Sequence, residues 1–243
     1  PRFVFFDLPR WARWWKRGNS GIHLYYFIWQ IGAYRLAKRI HAYERFDRVH
    51  HVTFATIRQP SLLGGLGVPF IFGPAGGGEN APWRLRWGYG LRGIVLDAAR
   101  DLVNLLSRFD PLLRRTFRQA SHIYVTSEQS RLLVPRKFRA KTSIKLAIGA
   151  DERFELPEVK QPNVNRPFQI LYVGRFIYWK GMHLGIRAFA ELLKSVPDAR
   201  LTMVGNGPDA DRWRTLARTL GVDANIDRIP WLPRKQLSSL YSR

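Results

Sequence analysis

The chain has no cysteine. That removes disulfides, thiol nucleophiles and cysteine-ligated zinc or iron–sulfur centres, and it is in keeping with a reducing compartment. Acidic residues are scarce, 18 Asp and Glu against 40 Lys and Arg. No H-x-x-x-H pair and no carboxylate pair stands at metal-ligand spacing, so neither a metal nor a bound cofactor is expected. Long apolar runs are missing as well. The most lipid-like stretch, Ile22 to Ala37, is interrupted by His23, Gln30 and Arg35. It falls short of the roughly 20 apolar residues that a spanning helix needs. No internal repeat or low-complexity tract stands out.

What is present is 243 residues with 46% apolar content, enough for one large or two ordinary domains with proper cores. The net charge is +22, with 27 bases against 12 acids in the first 165 residues and 13 against 6 from Arg166 onward. Such a field draws polyanions: nucleic acid, anionic lipid headgroups or phosphorylated substrates. A merely solvated basic surface is the plainer alternative.

The hydrophobic periods alternate between strand and helix. In residues 1–154 the pattern predicts strands at Phe3–Phe6, Arg48–Phe54, Val68–Phe72, His122–Val125 and Ser143–Ala147. It predicts a helix over Ile22–Arg45 and a long, broken helical region over Trp87–Arg118. A glycine-rich loop, GPAGGGE, covers Gly73–Glu79, and Thr126-Ser-Glu-Gln129 resembles a capping box. Residues 155–167 hold three prolines and read as a linker. Three βα units follow in residues 168–243: strands at Gln169–Val173, Arg200–Val204 and Asn225–Ile229, with helices at Gly181–Ser195, Asp209–Leu220 and from Arg234. Consecutive βα units mean a parallel sheet with right-handed crossovers. The expected class is α/β, with two Rossmann-like domains. A nucleotide-binding sheet of this kind normally has five or six strands, so both domains are expected to be incomplete.

The stretch YVGRFIYWKG, Tyr172–Gly181, leaves a strand and places Gly174, Arg175, Lys180 and Gly181 in one turn region. Ligands of open α/β sheets sit beyond the carboxyl ends of strands. A guanidinium fork, an ammonium and a helix N-terminus there suit a diphosphate. The alternative is a loop whose cations face water.

At this point residues 169–241 resemble the donor half of family-4 glycosyltransferases of the GT-B fold. The matching motifs are ILYVGR…KG at Ile170–Gly181, LTMVGNGPD at Leu201–Asp209 and WLPRKQLSSLY at Trp231–Tyr241. The resemblance implies that Arg175 and Lys180 bind the donor diphosphate. It also implies that Gly205, Asn206, Gly207, Trp231 and Leu232 lie near the nucleotide, although Pro230 stands where the family usually has glycine. Looser motifs in the first part, FDRVHHVTF, VPFIFGPAGGGENAP, HIYVTSEQS and IKLAIGAD, resemble the acceptor half. The Ala147–Asp151 stretch looks like the family's N-G-V-D turn, with Ile148 in place of asparagine. Many members carry a histidine in the loop where this chain reads GPAGGGE. Glu79 is the ionisable group of that loop and the candidate polar residue near the reacting sugar, with a helix cap or ion-pair partner as the alternative. His50 and His51 end a strand, so alternation sends one of them toward the site. His51 is the second catalytic candidate, against a satisfied core histidine.

Arg10-Trp-Ala-Arg-Trp-Trp-Lys-Arg17 alternates rings and cations. It suits an anionic membrane surface, nucleic-acid stacking, or core packing with a basic rim. The expected function is transfer of a sugar from a nucleotide-diphosphate sugar to a glycan or lipid-linked acceptor hydroxyl. The family implies retention of configuration. It also implies two glutamates, eight positions apart, later in the donor half. The 243 residues end before that point of the family's pattern, so the chain alone is expected to be inactive or nearly so. A basic α/β module that holds nucleic acid without catalysis is the alternative, although no recognised nucleic-acid motif appears. The expected location is cytoplasmic, peripheral on the inner face of the membrane.

Overall fold

The computed structural model describes residues 2–18, 20–52, 54, 56–149 and 167–241. Two compact units divide them. The first takes residues up to Asn80 together with Ala98–Gly149. The second takes Ala81–Asp97 together with the described residues from 167 on.

The first unit is built on four parallel strands in the order β1 (Val49–His51), β2 (Phe70–Ala75), β3 (Ala120–Val125) and β4 (Thr142–Ile144). Phe72 pairs with Ile123 in register. Phe70, Phe72, Ile123 and Val125 join Ile57, Leu113, Phe117 and Val134 in one buried cluster. Leu113 and Phe117 come from helix α4 (Pro111–Gln119), which starts where the Asp110 carboxylate accepts the Leu112 and Leu113 amides, with proline at its first position.

Helix α1 covers only Arg10–Arg13, and α2 runs from Ile22 to Glu44. The expected strand at Phe3–Phe6 does not form. Phe3 and Phe5 are exposed. Phe6 finds its apolar partner on a helix. Its ring packs on Trp29 of α2, and the Trp29 indole donates to the Phe6 carbonyl at 3.0 Å. The segment therefore lies along α2 instead of adding to the sheet.

The broken helical region resolves into a 3-10 turn at Trp83–Gly88, helix α3 (Gly90–Ser107) and α4. Helix α3 has an inverted amphipathic pattern. Its polar Asp97 and Asn104 are buried, while Leu91, Val95, Leu102 and Leu106 are exposed. Helix α5 (Glu128–Leu133) follows β3.

The second unit is a parallel sheet in the order β5 (Gln169–Val173), β6 (Arg200–Val204) and β7 (Ile226–Ile229). Each strand leads into a helix: α6 (Met182–Leu192), α7 (Ala210–Thr219) and α8 (Arg234–Tyr241). The expected three βα units are all present. Leu201 and Met203 of the central strand meet Ile186, Phe189 and Trp213 in the buried core. Truncating a buried indole such as Trp213 to alanine costs about 3–5 kcal/mol. Residues 81–97 add to this unit through Tyr89, whose ring meets Tyr178 at 4.9 Å and His183 at 5.6 Å, and the segment is itself tied by the buried pair of Arg86 and Asp97 at 3.2 Å.

Candidate functional site

In the second unit the βα topology brings the loops at 174–181, 205–209 and 230–233 to the carboxyl edge of the sheet. The first two loops interlock. The Gly174 amide donates to the Val204 carbonyl at 2.9 Å, the Phe176 amide to the Asn206 carbonyl at 2.9 Å, and the Asp209 amide to the Phe176 carbonyl at 3.1 Å. A Cβ on Gly207 would stand 2.3 Å from the Phe176 carbonyl oxygen. The glycines of VGNGP are thus required by the approach of one loop to its neighbour. Asn206 is exposed and turns its side-chain oxygen back to the Gly207 amide at 2.7 Å.

Arg175 and Lys180 stand on this rim, both exposed. Among the described residues neither side chain makes an ion pair or hydrogen bond, whereas Arg212, Arg214, Arg218 and Arg228 are paired with Asp209, Asp211 and Asp223. Gly181 adopts φ +72° as the N-cap of α6. That left-handed conformation suits glycine and sets the helix to begin directly after Lys180. No acidic residue occupies the first turn of α6, so its positive end is not neutralised. Trp231 is exposed and Leu232 half-buried on the third loop.

In the first unit the glycine-rich loop follows β2, and α5 follows β3, so both leave the same carboxyl edge. Ser127 caps α5 by accepting the Ser130 amide. The cap is one residue later than the expected box because Thr126 still continues the strand, donating its amide to the Ala75 carbonyl. Glu79 then closes the loop on this helix start. Its Oε1 accepts from Thr126 Oγ1 at 3.0 Å, Ser127 Oγ at 2.6 Å and Ser130 Oγ at 2.8 Å. Its Oε2 accepts the Gly77 amide at 2.7 Å. Partial burial raises the carboxyl's pKa, but the donors from Ser127, Ser130 and Gly77 outweigh it and hold it at about 2. A carboxylate so stabilised stays ionised and is a poor proton acceptor. Its geometry is that of a clamp between the loop and the start of α5, close to the helix-cap alternative and without an ion pair among the described residues.

His51 is in the core. Its Nε2 lies 2.9 Å from the Tyr26 hydroxyl and its Nδ1 2.7 Å from Ser61 Oγ. Both nitrogens being engaged in a buried site, the ring is a structural residue. Alternation puts His50 on the other face, where Nε2 meets the Gly73 carbonyl at 2.7 Å. Of the N-G-V-D-like turn, Ala150 and Asp151 lie outside the described residues, as does most of the 155–167 linker.

The residues that the sequence reading missed are Arg58, Asn80 and Asn104. Arg58 Nη1 donates to the Gly77 carbonyl and to Asn104 Oδ1, both at 2.9 Å. Asp97, Asp101 and Asn104 are spaced by four and three residues along α3 and so share one face. That polar row opposite an apolar one was the available signal.

In Arg10–Arg17, Trp11 and Trp14 point outward while Trp15 folds inward against Gly21. The three rings do not share a face, because the helix ends after four residues. Among the described residues no helix is long and apolar enough to cross a membrane, and no group of three or more His, Asp or Glu is placed to hold a metal ion.

Comparison with known proteins gives a consistent picture. The chain is 30% identical over 148 residues to an uncharacterized glycosyltransferase, YqgM, of Bacillus subtilis (strain 168), covering 61% of this chain and 35% of that protein. It is 35% identical over 78 residues to D-inositol 3-phosphate glycosyltransferase of Corynebacterium aurimucosum, covering 30% of this chain and 18% of that protein. The chain therefore spans about a third of the first relative and less of the second. Among solved structures, the lipopolysaccharide outer core galactosyltransferase WaaB shares the fold, with a TM-score of 0.53 at 10% identity over 88% of this chain and 52% of WaaB. These matches do not favour the nucleic-acid alternative. Residues 154–243 match the family model for glycosyl transferases group 1, on an α/β scaffold of parallel-stranded, Rossmann-like units of the GT-B class.

Proposed function

We propose that this chain belongs to a glycosyltransferase that moves a sugar, with retention, from a nucleotide-diphosphate sugar to an acceptor hydroxyl. Arg175 and Lys180 grip the diphosphate, and Gly174 and Gly181 shape the turn that carries them. Gly205, Asn206, Gly207, Trp231 and Leu232 line the nucleotide side. The observation that carries this reading is the state of the two cations: exposed at the carboxyl edge of the β5–β7 sheet, beside a helix start with no side-chain cap, while Arg212, Arg214, Arg218 and Arg228 of the same unit are paired with carboxylates. As the glycosidic bond breaks, negative charge builds on the departing diphosphate, and positioned cations lower that barrier. The chemistry needs no bound cofactor in this scheme.

Arg10, Arg13, Trp14, Lys16, Ile22 and Tyr25 line a cleft of about 550 Å³, and the two outward indoles flank cations. This supports peripheral docking on the anionic inner face of a membrane, from which a lipid-linked or glycan acceptor would be met.

The test is phosphorus NMR of UDP. The β-phosphorus resonance shifts when the protein is added, and Arg175→Ala or Lys180→Ala reduces the shift at equal concentration. An undiminished shift in both variants contradicts the assignment.

A further inference from the structure

The turn that bears Arg175 is anchored from several sides. The Gly174 amide donates to the Val204 carbonyl and the Phe176 amide to the Asn206 carbonyl. The Arg175 carbonyl accepts twice, from the Ile177 amide at 3.0 Å and from the Tyr172 hydroxyl at 3.2 Å. The last bond comes from a side chain, so a substitution can remove it without touching the main chain. A Cβ on Gly174 would lie 3.2 Å from the same hydroxyl. The turn therefore runs directly over the tyrosine.

Tyr172 is itself held. It stands on β5, half-buried, with its ring edge-on to Trp213 at 6.1 Å and tilted against Phe176 at 6.0 Å. Trp213 of α7 is 1% exposed, so the tyrosine ring leans on the close-packed core. Strand alternation sends Tyr172 to the same face as Ile170, and both pack against the core cluster. Burial pushes the phenol's pKa above its ordinary value, so the hydroxyl keeps the proton it donates. Phenylalanine would preserve the packing of the ring and lack only the hydroxyl.

Lys180 is held differently. Its amide donates to the Ile177 carbonyl at 2.9 Å, and the Gly181 amide to the Tyr178 carbonyl at 3.1 Å. These main-chain bonds close the 3-10 turn that carries it. The difference suits the two cations. A guanidinium meets phosphate oxygens through parallel bonds in one plane and needs direction, whereas an ammonium acts as a point charge. A group that must be aimed needs supporting contacts that hold it within about 0.5 Å. We infer that Tyr172 is a positioning residue: its hydroxyl ties the main chain at Arg175 to the Trp213 core and so aims the guanidinium at the donor diphosphate. The inference rests on the proposed donor site and names what steadies it.

The probes are UDP, GDP and ADP, titrated calorimetrically into the 243-residue chain and its variants. For a nucleotide that binds the wild type, Tyr172→Phe weakens affinity about threefold to tenfold, the range for one hydrogen bond. In an Arg175→Ala background the same substitution has no further effect, whereas with Lys180→Ala the two losses multiply. A tyrosine that merely stabilised the fold would weaken binding by the same factor in either background. If Tyr172→Phe binds as the wild type does, or if its loss is the same with and without the Arg175 guanidinium, the inference is overturned and the donor reading stands. If none of the three nucleotides binds the wild type, both fall.

Discussion

The carbonyl oxygen of Gly174 lies 2.0 Å from where a Cβ on Gly205 would stand, and Gly205 has φ +142°. The two glycines, at the ends of neighbouring strands, hold the loop bearing Arg175 against the loop after β6. A side chain at 205 meets backbone, which cannot rotate away.

Gly205→Ala is therefore expected to destabilise the second unit by about 2 kcal/mol or more. Urea denaturation checks this. Gly149→Ala, at an exposed position with nothing within 4 Å of the added Cβ, is the control and stays within about 0.5 kcal/mol.

Glu79→Gln removes a charge that four donors hold. The folded carboxyl titrates near 2, below its ordinary 4.5. A depressed carboxylate contributes stability that is complete above its unfolded pKa and lost as pH falls through the folded one. The melting temperature of Glu79→Gln should lie below wild type at neutral pH, and the gap should close as pH falls from about 5 toward 2. Much of the residue is exposed, so solvent screening keeps the effect modest. A gap independent of pH would contradict the clamp.

His183 opens α6 and is 3% exposed, with Gly88 against its ring and Tyr89 edge-on. Burial lowers its pKa below 6.5 against the opposing pull of the Leu85 backbone, and Arg212 and Arg187 repel its proton while Asp209 attracts it. The unfolded chain then takes up the proton first, so stability falls as pH drops below about 6.5. His183→Phe keeps the ring and should flatten that slope. Melting curves of the two proteins between about pH 7.5 and 5.5 decide it.

Trp11→Ser with Trp14→Ser removes the two outward indoles of the basic N-terminal stretch. Co-sedimentation with phosphatidylglycerol-containing vesicles should drop, and salt should weaken what remains. Binding indifferent to both changes would count against membrane docking by this segment.

Much of this fold is legible in the chain. The three βα units from Gln169 onward have clean periods, and the elements fall within a few residues of where periodicity puts them. Phe3–Phe6 misleads because a run of rings reads as a strand, whereas its fate depends on whether a sheet edge or a helix face is nearby. Arg175 and Lys180 are visible because the motif is local. Glu79 and His51 are visible as residues but not as roles, since Ser127, Ser130, Tyr26 and Ser61 reach them from far along the chain. Arg58 and Asn104 are 46 residues apart, and no local pattern joins them. The expected domain limits, 1–154 and 168–243, remain a proposal. Within the observed units Ala81–Asp97 groups with the later residues, a membership that only long-range contacts define.

The most direct measurement is calorimetric titration of UDP, GDP and ADP into the wild-type chain and into Arg175→Ala and Lys180→Ala. At least one nucleoside diphosphate should bind the wild type, and each substitution should weaken it about tenfold to a hundredfold, the range for a lost hydrogen bond to a charged group, with circular dichroism unchanged. Failure of all three nucleotides to bind, or equal affinity in folded variants, would contradict the account.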